Sequence, residues 1–214
     1  MISIIRLQSQ EKKDRICDFV VAHLDELQES IKEKGQLLYL TKRARHEDVS
    51  LFVHTIDPAF LGDFVADSLN KIEHLTGIWA IHMIKPIFYP LPKDTRNMKR
   101  YAISLRVFIK NLKEVYENIA AANLPEGLKM AYLAYTFHLF EDSLQLSILA
   151  DNEGNLNSYL TSVVEKMPGV LRTTVNLIER TRPLVSYETW RQYSAKHGIV
   201  PSWDEKSMIG QFQK

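Results

Sequence analysis

Three histidines are the residues of this sequence whose type and placement could most readily do chemistry. His54, His82 and His138 each lie in the middle of a segment typical of a β-strand. Imidazole nitrogens bind metals and haem iron, so strands that brought the three together could build such a site. The alternative is that each histidine is a hydrogen-bonded interior group. Because no two histidines have the His-x-x-x-His spacing of a helical metal site, we predict no metal site.

Two acidic pairs, Glu47-Asp48 and Glu141-Asp142, lie at predicted β-hairpin turns. Aspartate is favoured there because its side chain caps the turn backbone. Neighbouring carboxylates at the start of a strand point to opposite faces, so neither pair predicts a general acid–base dyad. The sequence also lacks a Gly-x-Ser-x-Gly elbow, a phosphate loop and a Gly-x-Gly-x-x-Gly turn. We therefore assign no catalytic residue and predict no cofactor.

Alternation along four predicted strands places polar side chains on one face of a sheet and apolar side chains on the other. In one strand Gln145 and Ser147 oppose Leu144, Leu146 and Ile148. The same alternation assigns the following residues to polar faces: Thr174, Asn176, Thr136, His138, Ser104 and Arg106. These faces are either an interface whose polar groups satisfy one another or the lining of a polar cavity between two halves of the chain.

Composition limits the classes of partner. With 27 basic and 26 acidic residues the net charge is +1, too small to attract nucleic acid or anionic lipid by charge alone. The basic clusters around Arg43 and Arg100 are therefore interpreted as solvated loop charges, with a phosphate-bearing partner as the alternative. The single Cys17 excludes an internal disulfide, and no window approaches the length of a membrane helix. We expect a cytoplasmic protein without direct nucleic-acid or membrane contacts.

Four helices must position these groups, and each lies between two strand-like segments. Hydrophobic periodicity predicts a first helix over 10–34, ended by Gly35 as a left-handed cap. A second helix begins at Asp57-Pro58, a favoured N-cap and first-turn pair. A third begins at Asn111 with Glu114 as its capping-box partner, and a fourth carries apolar residues from Leu156 to Met167.

Strands flanking these helices make four βαβ units in a row, and hence two βαββαβ halves. The predicted fold is α+β, a tandem repeat of the ferredoxin-like unit, with halves at 1–90 and 99–182. Gly35 and Gly127, and equally Gly77 and Gly169, are 92 residues apart, which supports a duplication. The remaining 183–214 predict a C-terminal helical extension. Its apolar residues either pack on its own half or form a subunit contact: Trp190, Trp203, Met208 and Phe212.

The second half resembles the ligand-binding domain of the Lrp/AsnC transcriptional regulators. The resemblance is carried by Glu141-Asp142-Ser143-Leu144-Gln145-Leu146-Ser147 and, after a helix, by Met167-Pro168-Gly169-Val170 leading into a Thr-bearing strand. It implies a ferredoxin-like fold that dimerises into an α+β barrel and binds amino acids or other small effectors. Those regulators begin with a helix-turn-helix, whereas this chain begins strand, helix, strand, so we expect no DNA reader.

Two functional hypotheses follow from the resemblance. The first is a non-enzymatic sensor of an amino-acid-like effector, acting as a homo-oligomer. The alternative is an enzyme or haem-binding protein of the dimeric α+β barrel group that uses a cavity between the sheets, because chlorite-dismutase-like proteins also duplicate this fold in one chain. We predict ligand contacts at the following residues: Asp48, His54, His82, Arg106, His138, Asp142 and Asn176.

Overall fold

The computed structural model describes residues 1–9, 13–44, 48–89, 95, 97–137 and 143–197. Within these residues the chain has a mixed α+β fold of eight strands and six α-helices. The strands are β1 Ile2–Ser9, β2 Gly35–Arg43, β3 Asp48–Thr55, β4 Leu75–Phe88, β5 Lys99–Val107, β6 Leu128–Tyr135, β7 Leu144–Ala150 and β8 Val170–Pro183. The helices are α1 Lys13–Ala22, α2 Leu24–Ile31, α3 Pro58–Asp67, α4 Leu112–Ala121, α5 Glu153–Ser162 and α6 Tyr187–Lys196. None of these helices is long and apolar enough to cross a membrane.

The chain divides into two compact units, each of which has its own core. Unit 1 contains residues 1–83 and 179–197 of the described part. Its strands follow the order β4, β1, β3, β2, and the pairings are antiparallel. The end of β8 lies beside β2, where the amide of Leu184 donates to the carbonyl of Leu38 at 3.0 Å. Helices α1, α2 and α3 pack on one face of this sheet through a buried apolar cluster that includes Ile16 and Phe64.

Unit 2 contains residues 84–178 of the described part. Its strands follow the order β8, β5, β7, β6, again antiparallel, and the end of β4 pairs with β6. Helices α4 and α5 cover one face through a second apolar cluster, which includes Val115, Leu156 and Ile103. The opposite face of the sheet therefore carries the residues that alternate with Ile103.

Local signals explain several element boundaries. The side chain of Asp57 accepts a hydrogen bond from the amide of Ala59 at 2.9 Å, and Pro58 opens α3, as predicted. Ser186 caps α6 in the same way by accepting from the amide of Thr189 at 3.1 Å. At Asn111 the predicted capping box is wrong, because the Asn111 side chain makes no capping hydrogen bond.

Two further predictions of local structure are wrong. The helix expected over 10–34 is two helices, because His23 leaves helical geometry between α1 and α2, and its Nδ1 lies 3.0 Å from the carbonyl oxygen of Phe19. Gly35 is not a left-handed cap but the first residue of β2. A Cβ there would lie 2.9 Å from the carbonyl oxygen of His54 on β3, so glycine serves the close approach of two strands.

Candidate functional site

The register within unit 2 places the predicted polar side chains together on the sheet face opposite the helices. Ser104 of β5 lies directly opposite Gln145 of β7 and Thr174 of β8, and Ala102 lies opposite Ser147 and Asn176. We call Ser104, Gln145, Ser147, Thr174 and Asn176 the polar face. The prediction that these residues share a face is confirmed. Arg106 lies on the same face but is exposed, four residues along β5 from the position opposite Asn176.

The predicted residues of unit 1 do not come together. Asp48 and His54 share the sheet face opposite the helices, but six residues of β3 separate them, roughly 20 Å. His82 lies on the other face, because it pairs with Ser3 whereas His54 pairs with the neighbouring Ile2. His82 is exposed, and its Nδ1 lies 2.9 Å from the hydroxyl of Ser3. The hypothesis that His54 and His82 converge is therefore wrong.

His138 and Asp142, the two remaining residues of the predicted ligand set, lie outside the described residues. Within the described residues, no group of three or more histidines, cysteines and acidic residues could hold a metal ion. The predicted ligand contacts stay predictions. Arg106 and Asn176 lie on one face of unit 2, and Asp48 and His54 lie on one face of unit 1.

His54 is held in a buried cluster with α6. Its Nδ1 lies 3.3 Å from the hydroxyl of Tyr193, its Nε2 lies 3.2 Å from the nitrogen of Met1, and the ring of Trp190 meets it edge-on at 5.5 Å. Burial lowers the pKa of His54 to about 3, with the Met1 amino group and His197 as smaller causes. The imidazole is therefore neutral at physiological pH. Both of its nitrogens are engaged, which favours a structural role.

Asp48 is also structurally committed. Its carboxylate accepts from Nε of Arg43 at 2.7 Å and from Nη2 of the same guanidinium, in a bidentate pair with both side chains largely buried. Burial, together with the charge of Arg6, lowers the pKa of Arg43 to about 10, so the guanidinium remains charged at neutral pH. This pair accounts for the aspartate that was predicted to contact a ligand.

A cavity of about 260 Å³ opens in unit 2 where α4 ends and β6 begins. We call it the tyrosine cavity. Its wall is aliphatic and is formed by Ile119, Leu124, Leu128 and Met130. Its remaining lining residues are Tyr89, Ala122, Asn123 and Lys129. Such a mixture, apolar walls with a few polar groups, is typical of small-molecule sites, and the volume lies just below their usual range of roughly 300–1,000 Å³.

Tyr89 is the one phenol in the lining of this cavity, and Tyr159 and Tyr116 lie in the same unit. The hydroxyl of Tyr89 donates to the carbonyl of Ala120 at 3.3 Å, and burial raises the pKa of Tyr89. Burial also raises the pKa of Tyr159, with the nearby Tyr89 as the second cause, and the buried Tyr159 hydroxyl has no hydrogen-bond partner among the described residues. Tyr116 stacks on Tyr135 with ring centroids 4.2 Å apart and donates to the carbonyl of Lys85 at 2.6 Å. These phenols are protonated donors at neutral pH.

Sequence reasoning missed the tyrosine cavity. Tyr116 and Tyr159 occupy core positions of α4 and α5, where a leucine would satisfy the same periodicity. Neither tyrosine lines the tyrosine cavity, so this pattern is not a signal for it.

Unit 1 has a smaller, more enclosed depression against α1. It is lined by Cys17, Asp18, Val21, Leu40, Lys42, Arg180 and Arg182. Burial raises the pKa of the Cys17 thiol to about 11, so it is protonated and a weak nucleophile at neutral pH. Lys42 is already paired with Asp14 at 2.5 Å and with Glu179 at 3.4 Å. The tyrosine cavity is therefore the better candidate site.

No family model and no curated protein matches this chain. Solved structures do match it. A candidate monooxygenase from Lactobacillus acidophilus NCFM superposes with a TM-score of 0.51 at 14% identity, covering 83% of this chain and 91% of that chain. An anthrone oxidase-like protein gives 0.53 at 9% identity, covering 86% and 93%. A chlorite dismutase variant from Candidatus Nitrospira defluvii gives 0.53 at 14% identity, covering 90% and 95%.

Similarity at these identities shows the fold, which is that of the dimeric α+β barrel proteins, relatives of the ferredoxin-like domain. The predicted fold class is confirmed at that level. The interpretation as an Lrp/AsnC-type sensor is wrong, because the matching structures are enzyme-like proteins of this group. A Pro-Gly-Val turn entering a strand is a local feature that ferredoxin-like sheets share, so it did not distinguish the two classes. The fold of the dimeric α+β barrel proteins is therefore the better basis for interpreting this chain than the resemblance to the Lrp/AsnC regulators.

Proposed function

We propose that this chain is an oxidoreductase of the dimeric α+β barrel group that oxidises a flat, apolar aromatic molecule in the tyrosine cavity. The observation that carries the proposal is a cavity of about 260 Å³ with an aliphatic wall and the phenol of Tyr89 in its lining. The similarity in fold to candidate monooxygenases and an anthrone oxidase-like protein suggests the reaction class.

Anthrone is a suitable first substrate because its methylene group lies between two aromatic rings and opposite a ketone. Loss of a proton to water gives an enolate, whose oxygen would accept from the Tyr89 hydroxyl in place of the carbonyl of Ala120, with the Lys129 ammonium nearby. Dioxygen then adds to the carbanion carbon, and loss of water leaves a second ketone. The balance is R₂CH₂ + O₂ → R₂C=O + H₂O, so dioxygen is the only oxidant required.

The experiment is oxygen uptake with anthrone, with the quinone product followed by chromatography and the spontaneous rate subtracted. Ala122→Trp would fill the cavity and is expected to abolish turnover. Ala121→Trp, one residue earlier and outside the lining, is the matched control and should retain it. Tyr89→Phe is expected to lower kcat by about 100-fold through loss of one donor to the enolate. No uptake above the spontaneous rate, or full activity in Ala122→Trp, contradicts the proposal.

A haem protein is the other function that the similarity to chlorite dismutase suggests, and the described residues do not fit a haem. All five histidines of the described part lie in unit 1: His23, His54, His74, His82 and His197. None lines the tyrosine cavity or the depression beside Cys17, and the buried His54 has both nitrogens engaged. A Soret band on titrating the purified protein with haemin would favour haem binding over this conclusion.

We further propose that the two halves arose by duplication, with 1–90 and 99–182 as the repeats and 183–214 as an extension. The supporting observation is that both units have the same order of strands in their sheets. The chain is proposed to act as a homo-oligomer.

A further inference from the structure

The hydroxyl of Tyr159 is buried in the core of unit 2 without a hydrogen-bond partner among the described residues. Tyr159 of α5 is only 4% exposed and belongs to the apolar cluster beneath α4 and α5, whose members all lie in unit 2. Buried polar groups are nearly always hydrogen-bonded. A phenylalanine would fill the same space without an unpaired hydroxyl, so the hydroxyl needs a reason.

Tyr89 lies between this core and the tyrosine cavity. It packs against the cluster that contains Tyr159, and it is also part of the lining of the cavity. The nearness of the two phenols contributes, after burial, to the raised pKa of Tyr159. The hydroxyl of Tyr159 is therefore placed behind the one phenol that a ligand in the cavity would meet.

The hydroxyl of Tyr89 is weakly held in the structure. It donates to the carbonyl of Ala120 at 3.3 Å, which is longer than the roughly 2.5–3.0 Å of an ordinary O–H···O bond. Tyr116, by contrast, donates to the carbonyl of Lys85 at 2.6 Å. Ala120 lies in the last turn of α4, where carbonyl groups have no partner within the helix and can bind water instead. Transfer of the Tyr89 hydrogen bond from this carbonyl to a ligand therefore costs little.

We propose that Tyr159 is a positioning residue for the oxidation in the tyrosine cavity. When the hydroxyl of Tyr89 turns from Ala120 to the enolate oxygen of the substrate, the hydroxyl of Tyr159 donates to the oxygen of Tyr89. Hydrogen bonds in a chain polarise one another, so Tyr89 becomes a stronger donor. The inference rests on the proposed function and names the residue that supports its donor.

A negatively charged oxygen gains most from such a chain, because hydrogen bonds to charged groups are about twice as strong as those between neutral groups. The cavity should therefore prefer an aromatic oxyanion to a neutral molecule of the same shape. The probes are 4-nitrophenol, whose yellow phenolate stands in for the enolate, and 4-nitrotoluene, a neutral molecule of the same size. Binding of the phenolate is expected to hold the pKa of bound 4-nitrophenol below its value in water.

The test is Tyr159→Phe, which removes the hydroxyl and keeps the ring. It should weaken binding of the phenolate roughly tenfold, and so raise the pKa of the bound probe, while 4-nitrotoluene binds within about twofold of its original affinity. In turnover of anthrone it should lower kcat roughly tenfold with KM little changed, because the bond forms only once the enolate does.

Tyr101→Phe is the matched control. Tyr101 of β5 is 3% exposed, belongs to the same cluster, and also has a buried hydroxyl without a partner among the described residues. The charge that contributes to the raised pKa of Tyr101, after burial, is that of Glu153 and not of Tyr89. This substitution should leave the affinity for both probes unchanged. Each of the two substitutions removes an unpaired buried hydroxyl, so each should leave the melting temperature unchanged or raised.

Tyr89→Phe separates this inference from the proposed function. If the preference for the phenolate depends on Tyr89 and not on Tyr159, the role of Tyr159 is overturned and the proposed function stands. The role is equally overturned if Tyr159→Phe weakens both probes alike, which would be a structural effect, or if Tyr101→Phe has the same effect. A protein that binds neither probe, or in which Tyr89→Phe leaves the preference unchanged, contradicts both proposals.

Discussion

Trp190 of α6 packs edge-on against His54 of β3, with the two ring centroids 5.5 Å apart and Trp190 fully buried. The ring of Tyr193, one turn further along α6, lies 5.7 Å from that of His54. The part of the C-terminal extension that the structure describes therefore packs on its own unit. This contact explains why the pKa of His54 is lowered to about 3.

The first prediction concerns acid stability. An unfolded chain binds a proton at His54 as the pH falls through 6.5, whereas the folded protein does not until about 3. Because the unfolded state binds more protons in that window, stability falls as the pH drops from 6.5 towards 3. His54→Gln should flatten this decline by at most about 1.4 kcal/mol per pH unit. Urea unfolding of both proteins across the window measures it, and parallel curves would show that His54 contributes nothing.

The second prediction concerns the buried ion pair. Asp48→Asn removes the charge of the carboxylate that accepts from Arg43, and only 11% of the Arg43 side chain is exposed. Breaking such a pair should cost about 3 kcal/mol of unfolding free energy. Glu29→Gln, which breaks the exposed pair with Lys32, is the control and should cost far less, because solvent screens such a pair. Equal losses in the two variants, measured by denaturant unfolding, would contradict the assignment of Asp48 to a buried pair.

The fold and the polar face could be predicted from the sequence because both depend on local periodicity. Alternation along one strand is enough to separate Gln145 and Ser147 from Leu144 and Leu146, whatever the neighbouring strands do. The placement of His54 and His82 could not be predicted in this way. It depends on how β3 and β4 are each aligned with β1. A shift of one residue in either alignment would move one of the two histidines to the opposite face of the sheet.

The tyrosine cavity could not be predicted from the sequence, for a different reason. A cavity depends on how far apart the end of α4 and the start of β6 are held, and periodicity contains no measure of that distance. The interpretation as an Lrp/AsnC-type sensor failed for a similar reason, since the motif around Gly169 specifies a turn and not a binding site. Interpretation of function requires the groups that line a space, such as Tyr89 and Lys129.

The third prediction concerns assembly. The apolar residues Trp203, Met208 and Phe212 lie outside the described residues, and their proposed role is a subunit contact. A chain that ends after His197 keeps α6 and its contact with His54. We expect the full chain to be a homo-oligomer and this shortened chain to have a lower mass by light scattering at micromolar concentration. An unchanged mass, or a full-length protein that is already monomeric, would refute the role of these residues.

The last prediction compares two glycines that differ in backbone conformation and in the space around them. Gly169 has a φ of +89°. An added Cβ would collide with the Cβ of Asn111, which is bonded directly to the main chain and so cannot rotate away. Gly62 lies within α3, and an added Cβ would meet nothing within 4 Å. Gly169→Ala should therefore destabilise the protein by about 1–3 kcal/mol. Gly62→Ala should stabilise it by about 0.5–1 kcal/mol, because alanine loses less backbone entropy in a helix. Thermal and urea unfolding of the two variants beside the unmodified protein measure both effects, and a Gly169→Ala protein as stable as Gly62→Ala would exclude a left-handed turn before β8.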